Sequence, residues 1–190
     1  MKQRRFTLLG LSCLLSAFGL AQTNQNFNST SSSTVAQVKD SLAQHCWLFP
    51  GFQTQAASGW TAASIEGDGC LVSNEGASST QSAGIATPVL SISGTLQVSF
   101  KYKFDKKPGK NDKRWIKVLL TDLNNNISTQ LDSFDISNAD KITTYSKSFT
   151  ASGSYRIFLC YQGTGNKQYL ALDDLSISAS SLFPNGCAQA

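Results

Sequence analysis

Apolar and polar residues alternate strictly over much of the second half of the chain. Leu96, Val98, Phe100, Tyr102 and Phe104 are interleaved with Gln97, Ser99, Lys101 and Lys103, which predicts a strand with one buried and one wet face. Ile116, Val118 and Leu120 repeat the pattern, offset by Trp115, Lys117 and Leu119, and KKPGKND separates the two strands with Pro108 and Gly109 as punctuation. DLNNN then turns the chain into a strand over residues 127–136, and two more are predicted over 142–149 and 155–161 with the polar stretch ASGS between them. In the last strand Leu170 and Leu172 share one parity, Leu175 and Ile177 the other, and Asp173-Asp174 lies at the change. A one-residue bulge there keeps all four apolar side chains on the core face and re-aims one carboxylate. Six or more strands with no helical pattern between them predict an all-β fold, an antiparallel jelly-roll β-sandwich over residues 46–187.

The first half reads differently. Lys2, Arg4 and Arg5 precede an apolar run over residues 6–20 that ends in Gly19-Leu20-Ala21, the order of a secretory signal peptide cleaved after Ala21. Lipid attachment at Cys13 is the competing reading, but Gly10-Leu11-Ser12 before it and Leu14-Leu15 after it do not suit it. The expected product is secreted or periplasmic. Residues 22–33 (QTNQNFNSTSSS) predict a flexible polar leader. Residues 34–45 place Val35, Val38 and Leu42 at helical spacing behind Ser33 or Thr34 as a cap, predicting a short amphipathic helix over one end of the sandwich.

Removing the signal peptide changes the charge. Three of the 16 basic residues leave and none of the 12 acidic ones, so 13 against 12 gives the mature chain +1. What remains is uneven: Lys101, Lys103, Lys106, Lys107, Lys110, Lys113, Arg114 and Lys117 face only Asp105 and Asp112 in one short stretch. Such a patch suits an anionic glycan or lipopolysaccharide, and its alternative is a solvated strand and hairpin that resist edge pairing. Nucleic acid is not an expected partner. No later stretch approaches the roughly 18 to 20 apolar residues of a membrane-spanning helix. Of the five cysteines, Cys46, Cys70, Cys160 and Cys187 form an even set in an oxidising compartment, with three pairings open.

The order CWLFPGF, GW at Gly59-Trp60, IATPVLSISGTLQVSFKYKF, RWIKVLLTD, LDSFDI, TTYSKSFT, GSYRIFLCYQG and YLALDDLSIS resembles the secreted jelly-roll domains of environmental Gram-negative bacteria. Those domains are similar in layout to MAM-type and to concanavalin-like or galactose-binding-like sandwiches. The resemblance implies an adhesive or carbohydrate-binding module of a larger surface protein, often ahead of a sorting domain for type IX secretion. No sorting domain follows the last predicted strand here, which favours a periplasmic or released protein. In sandwiches of these kinds an acidic pair in the final strand contributes to a structural calcium site; Asp173 and Asp174, with Asp68 from EGDG, are the candidates. A bulge carboxylate bonded to nearby backbone N–H groups is the alternative.

Candidate chemistry is otherwise sparse. Trp115, Tyr161, Tyr169 and Trp60 are the rings that a sugar face could stack on, and Trp115 leads them because it shares a face with Lys117 when Ile116, Val118 and Leu120 point inward. One His and two Glu (Glu66, Glu75) leave few parts for acid-base catalysis. His45 adjoins Cys46 without facing it, Asp132 and Asp135 lie on opposite faces of one strand, and no GxSxG elbow occurs. No enzyme activity is expected. The function expected is a carbohydrate-binding or adhesive module; the alternative is an assembly subunit of an envelope complex.

Overall fold

Strands with one apolar face need a second layer to cover it. The computed structural model describes residues 21–25, 27, 42–49, 52–56, 69–73, 83–104, 109–122, 127–137, 139–164 and 169–184. Their strands are β1 (Ala21–Gln25), β2 (Phe52–Ala56), β3 (Gly69–Ser73), β4 (Ala83–Ala86), β5 (Leu90–Phe104), β6 (Lys113–Asp122), β7 (Ile127–Asp135), β8 (Thr143–Thr164) and β9 (Leu170–Pro184). Every pairing among them is antiparallel. One layer runs β2-β3-β9-β5-β8 with β1 also on β9, and the other runs β4-β8-β6-β7. The all-β antiparallel sandwich expected from the alternation is the fold observed.

β8 belongs to both layers. Residues 143–155 pair with β5, and from Arg156 onward the same strand pairs with β6 and β4. The ASGS stretch, expected to separate two strands, is a corner inside this one strand. Gly153 sits there at φ +141, a conformation that L side chains rarely adopt, and the Tyr155 ring occupies the space where its Cβ would be. Between the layers, Val98, Phe100, Tyr102 and Phe104 of β5 meet Ile116 and Val118 of β6 and Leu170, Leu172, Leu175 and Ile177 of β9.

The bulge in β9 is where the parity change puts it. Asp174 and Leu175 together oppose Phe100, and Asp174 takes φ +48, a left-handed conformation that Asp tolerates better than most residues. Leu170, Leu172, Leu175 and Ile177 are all buried as a result.

The leader departs from expectation. Residues 22–25 lie in β1, paired with β9 at residues 175–178, and Phe27 is buried against Trp47 with ring centroids 6.5 Å apart. Pairing to a neighbouring strand uses backbone groups, so a polar sequence can form it, and one aromatic fixes its end. Residues 28–33 lie outside the described set, as do 34–41 of the expected helix; Leu42–Gln44 form a single helical turn.

The TPVL segment is fixed by a buried cation. Arg156 donates from Nη1 to the carbonyls of Cys46 at 2.6 Å and Thr87 at 2.5 Å. Thr87 exchanges backbone and hydroxyl bonds with Ile157. Burial pulls the Arg156 pKa below its ordinary value; a guanidinium stays charged all the same.

A polar latch joins the layers at the rim. Asp132 of β7 accepts a hydrogen bond from the Tyr145 hydroxyl at 2.9 Å and pairs with Lys147 at 2.8 Å, both on β8. Burial alone would raise the Asp132 carboxyl, but hydrogen bonds from Lys147, Tyr145 and the Ser133 backbone outweigh it and hold it below the usual carboxylate range. The folded carboxyl thus titrates below the unfolded one, at about 3.9, so the latch stabilises the fold above that pH and loses its effect as pH falls through the folded value. An Asp132→Asn variant is expected to be less stable than the parent at neutral pH, with the gap narrowing between roughly pH 5 and pH 2. Thermal unfolding across that range checks it; a gap independent of pH would assign the loss to shape rather than charge.

Candidate functional site

On the β4-β8-β6-β7 layer, residues of one parity point inward and those of the other point out. Ile116, Val118 and Leu120 are buried, so Trp115, Lys117 and Leu119 stand on the outer face. Their cross-strand neighbours follow from the register. Trp115 lies between Asp135 and Gln162, Lys117 between Ser133 and Cys160, and Leu119 between Gln130 and Phe158. Next along β4 come Gly84 opposite Cys160 and Ala86 opposite Phe158.

Three features define this face. The Trp115 ring is half-buried and its Nε1–H donates to Gln162 Oε1 at 3.0 Å, which fixes the indole against the sheet. The Phe158 ring is also half-buried and leans across Gly84, where a Cβ would fall 2.3 Å from Cε2. Gly84 is therefore what lets that ring lie low over the sheet. Lys117, between the two aromatic positions along the strand, meets no carboxylate among the described residues. Asp135 beside Trp115 is occupied: the side chain and backbone N–H of Ser137, then Lys113, hold its carboxyl below the usual range, with the N–H at 2.7 Å.

The other candidates fall in different places. Tyr161 is 1% exposed and points into the core, its ring centroid 6.0 Å from that of Phe104, so it presents no face to a ligand. Tyr169 is half-buried at the start of β9, and Trp60 lies outside the described residues. Phe158 was not among the predicted residues. The run Tyr155 to Tyr161 is apolar on both parities apart from Arg156, so alternation alone could not say which rings face out.

The basic run does not form one patch. β5 and β6 are consecutive in sequence but lie in opposite layers, so Lys101 and Lys103 stand on the outer face of one sheet while Lys113 and Lys117 stand on the outer face of the other. Lys101 is paired with Asp174 at 3.0 Å. Arg114 shares the inward parity of Ile116 and is fully buried, its Nη1 donating to the carbonyls of Lys113 and Thr164 and its stem packed on Gly163. Lys110 is exposed; Lys106 and Lys107 lie outside the described residues.

At the bulge, Asp173 Oδ1 accepts the Asp174 N–H at 2.8 Å, which is the backbone-bonded arrangement weighed against calcium. Asp68 lies outside the described residues, and among those described no three His, Cys, Asp or Glu side chains gather as a metal site would require. Cys70 and Cys160, expected as disulfide candidates, are buried thiols. They belong to different layers, β3 in one and the later part of β8 in the other, and each fills a buried position as a small hydrophobe would. Burial, followed by the nearby Asp173 charge, pushes the Cys70 thiol up to about 12, which leaves it unreactive. Cys187 lies outside the described residues. No described helix is long and apolar enough to cross a membrane.

No protein-family model and no curated protein matches the chain. Solved structures do. The K1 cleaved adhesin domain of Lys-gingipain from Porphyromonas gingivalis W83 superposes with a TM-score of 0.57 at 16% identity, covering 84% of this chain and 98% of that one. The C-terminal family 22 carbohydrate binding module of Clostridium thermocellum Xyn10B gives 0.53 at 10% identity over 87% and 96%. The CBM22-1 xylan-binding domain of Paenibacillus barcinonensis Xyn10C gives 0.50 at 12% identity over 82% and 92%. At these identities the likeness concerns the fold: the chain has the β-sandwich architecture that carbohydrate-binding modules and adhesin domains share.

Proposed function

We propose that this chain is an exported, non-catalytic β-sandwich module that binds carbohydrate, in an adhesive role at the cell envelope or outside the cell, through the outer face of the β4-β8-β6-β7 layer. The observation that carries this reading is Trp115, a partly exposed indole whose Nε1–H is bonded to Gln162, on a face where Ser133 and Gln130 offer polar groups. A sugar's apolar face stacks on such a ring while its hydroxyls bond the surrounding polar atoms. The adhesin and carbohydrate-binding neighbours support the class of function, and the xylan in the name of one of them is that protein's ligand. Export rests on the N-terminal segment, with its basic residues, apolar run and Gly19-Leu20-Ala21.

A glycan array on the purified protein, repeated with Trp115→Ala, tests the proposal. Binding by the parent and its loss, by roughly tenfold or more, in a variant of unchanged circular dichroism is the expected result. Absence of binding across the array, with recovery of a protein partner instead, would move the assignment to an envelope assembly subunit. That second reading draws on the edge strand β7, where Ile127 is 58% exposed.

A further inference from the structure

The charge and spacing of groups on the outer face say more about the ligand than its being a sugar. Resting on the function just proposed, we infer that the glycan is an acidic oligosaccharide, which lies across β6 and β8 with sugar faces on Trp115 and Phe158 and an anionic group at Lys117.

The two rings are set apart by the lattice of the sheet. Trp115 is opposite Gln162 and Phe158 is opposite Leu119, so the ring-bearing positions are four residues apart along the strand direction and one strand apart sideways. At about 3.3 Å per residue and 4.8 Å between strands their backbones stand roughly 14 Å from each other. A single sugar cannot touch both, whereas a short chain can. Among the described residues the intervening row consists of Ser133, Lys117, Cys160 and Gly84, of which Cys160 and Gly84 are buried and Lys117 is the one long side chain. The ammonium of Lys117 is the group in that row able to reach a ligand with charge.

Electrostatics distinguish Lys117 from the other β6 lysine on this face. Lys113 acts on Asp135, whereas Lys117 meets no carboxylate among the described residues. Asp135 would otherwise repel an anion stacked on Trp115, but the Ser137 N–H and Lys113 already engage it. A carboxylate or sulfate on the bound chain would give Lys117 the counter-charge that no described residue supplies, and the neighbouring indole lowers the local dielectric around the pair.

The test uses the full protein with four polysaccharides as probes: polygalacturonate and polymannuronate, each beside its carboxyl-reduced neutral form, and dextran sulfate and cellulose sulfate, each beside its unsulfated neutral glucan. Calorimetric titration is expected to show tighter binding of at least one charged member than of its partner. That preference should fall about threefold to fivefold in Lys117→Gln, survive in Lys117→Arg, and shrink as salt is raised. The uronate and sulfate arms identify which anion is taken. Phe158→Leu, which keeps an apolar cover over Gly84, should weaken a hexamer about fivefold and leave a dimer unaffected. Neutral chains that bind through Trp115 as well as charged ones would overturn the inference and leave the carbohydrate-binding function standing. Equal hexamer affinity in Phe158→Leu would overturn the second platform. No binding to any probe or neutral form would overturn both the inference and the function on which it rests.

Discussion

Replacing Arg156 by methionine is expected to lower the free energy of unfolding by about 3 kcal/mol. Methionine keeps much of the stem volume, so the loss is one of hydrogen bonds rather than packing. Arg156 is 7% exposed, and its guanidinium reaches two backbone carbonyls from distant parts of the chain, Cys46 and Thr87. Without it both oxygens remain buried with no charged donor, and each such group costs about 1 to 3 kcal/mol. Arg156→Lys should fall between the two, since an ammonium offers donors without the planar fork. Denaturant unfolding with unchanged slope measures the difference. A methionine variant within about 1 kcal/mol of the parent would mean that water or a shifted backbone meets those carbonyls.

Phe100→Ala is expected to cost about 4 kcal/mol. Phe100 is 1% exposed, and its ring stacks on Tyr145 at 4.8 Å and lies 6.3 Å from Phe134. Phe134 belongs to the facing layer and itself stacks on Tyr145 at 4.5 Å. Truncation therefore opens a cavity where both layers meet and removes aromatic contacts on two sides at once. The same change combined with Phe134→Ala should cost less than the sum of the separate losses, because the two rings share contacts. Additive losses would show that the two rings act independently, and chemical denaturation of the single and double variants decides between the two outcomes.

Where one face of a strand was apolar and the other polar, the sequence was readable. The inward set of β5, the outward position of Trp115 and the bulge at Asp174 all follow from parity, and the register agrees with each. Where both parities are apolar, as in residues 157–161, alternation gives no direction, and the inward Tyr161 and outward Phe158 look alike in sequence. Charge clustering misled for a geometrical reason. A run of lysines along two consecutive strands is continuous in sequence, but the connection between them crosses from one layer to the other and divides it. Arg114 shows a further limit, since a charged residue at an inward position gives no sign in sequence that backbone carbonyls await it. The strand in the polar leader was invisible because the pairing that forms it is made by the backbone of β9, about 150 residues away.

That last pairing bears on when the molecule can fold. β9, the final described strand, is also the middle of its layer, with β5 on one side and β1 and β3 on the other. Until residues 170–184 have been made, β1 and β3 lack the strand that joins them to the layer and β5 lacks one of its two neighbours. Closure of that layer waits on β9, and contacts so distant in sequence form slowly. β9 is thus a keystone: the hairpins made before it can pair among themselves, but this layer closes only around it.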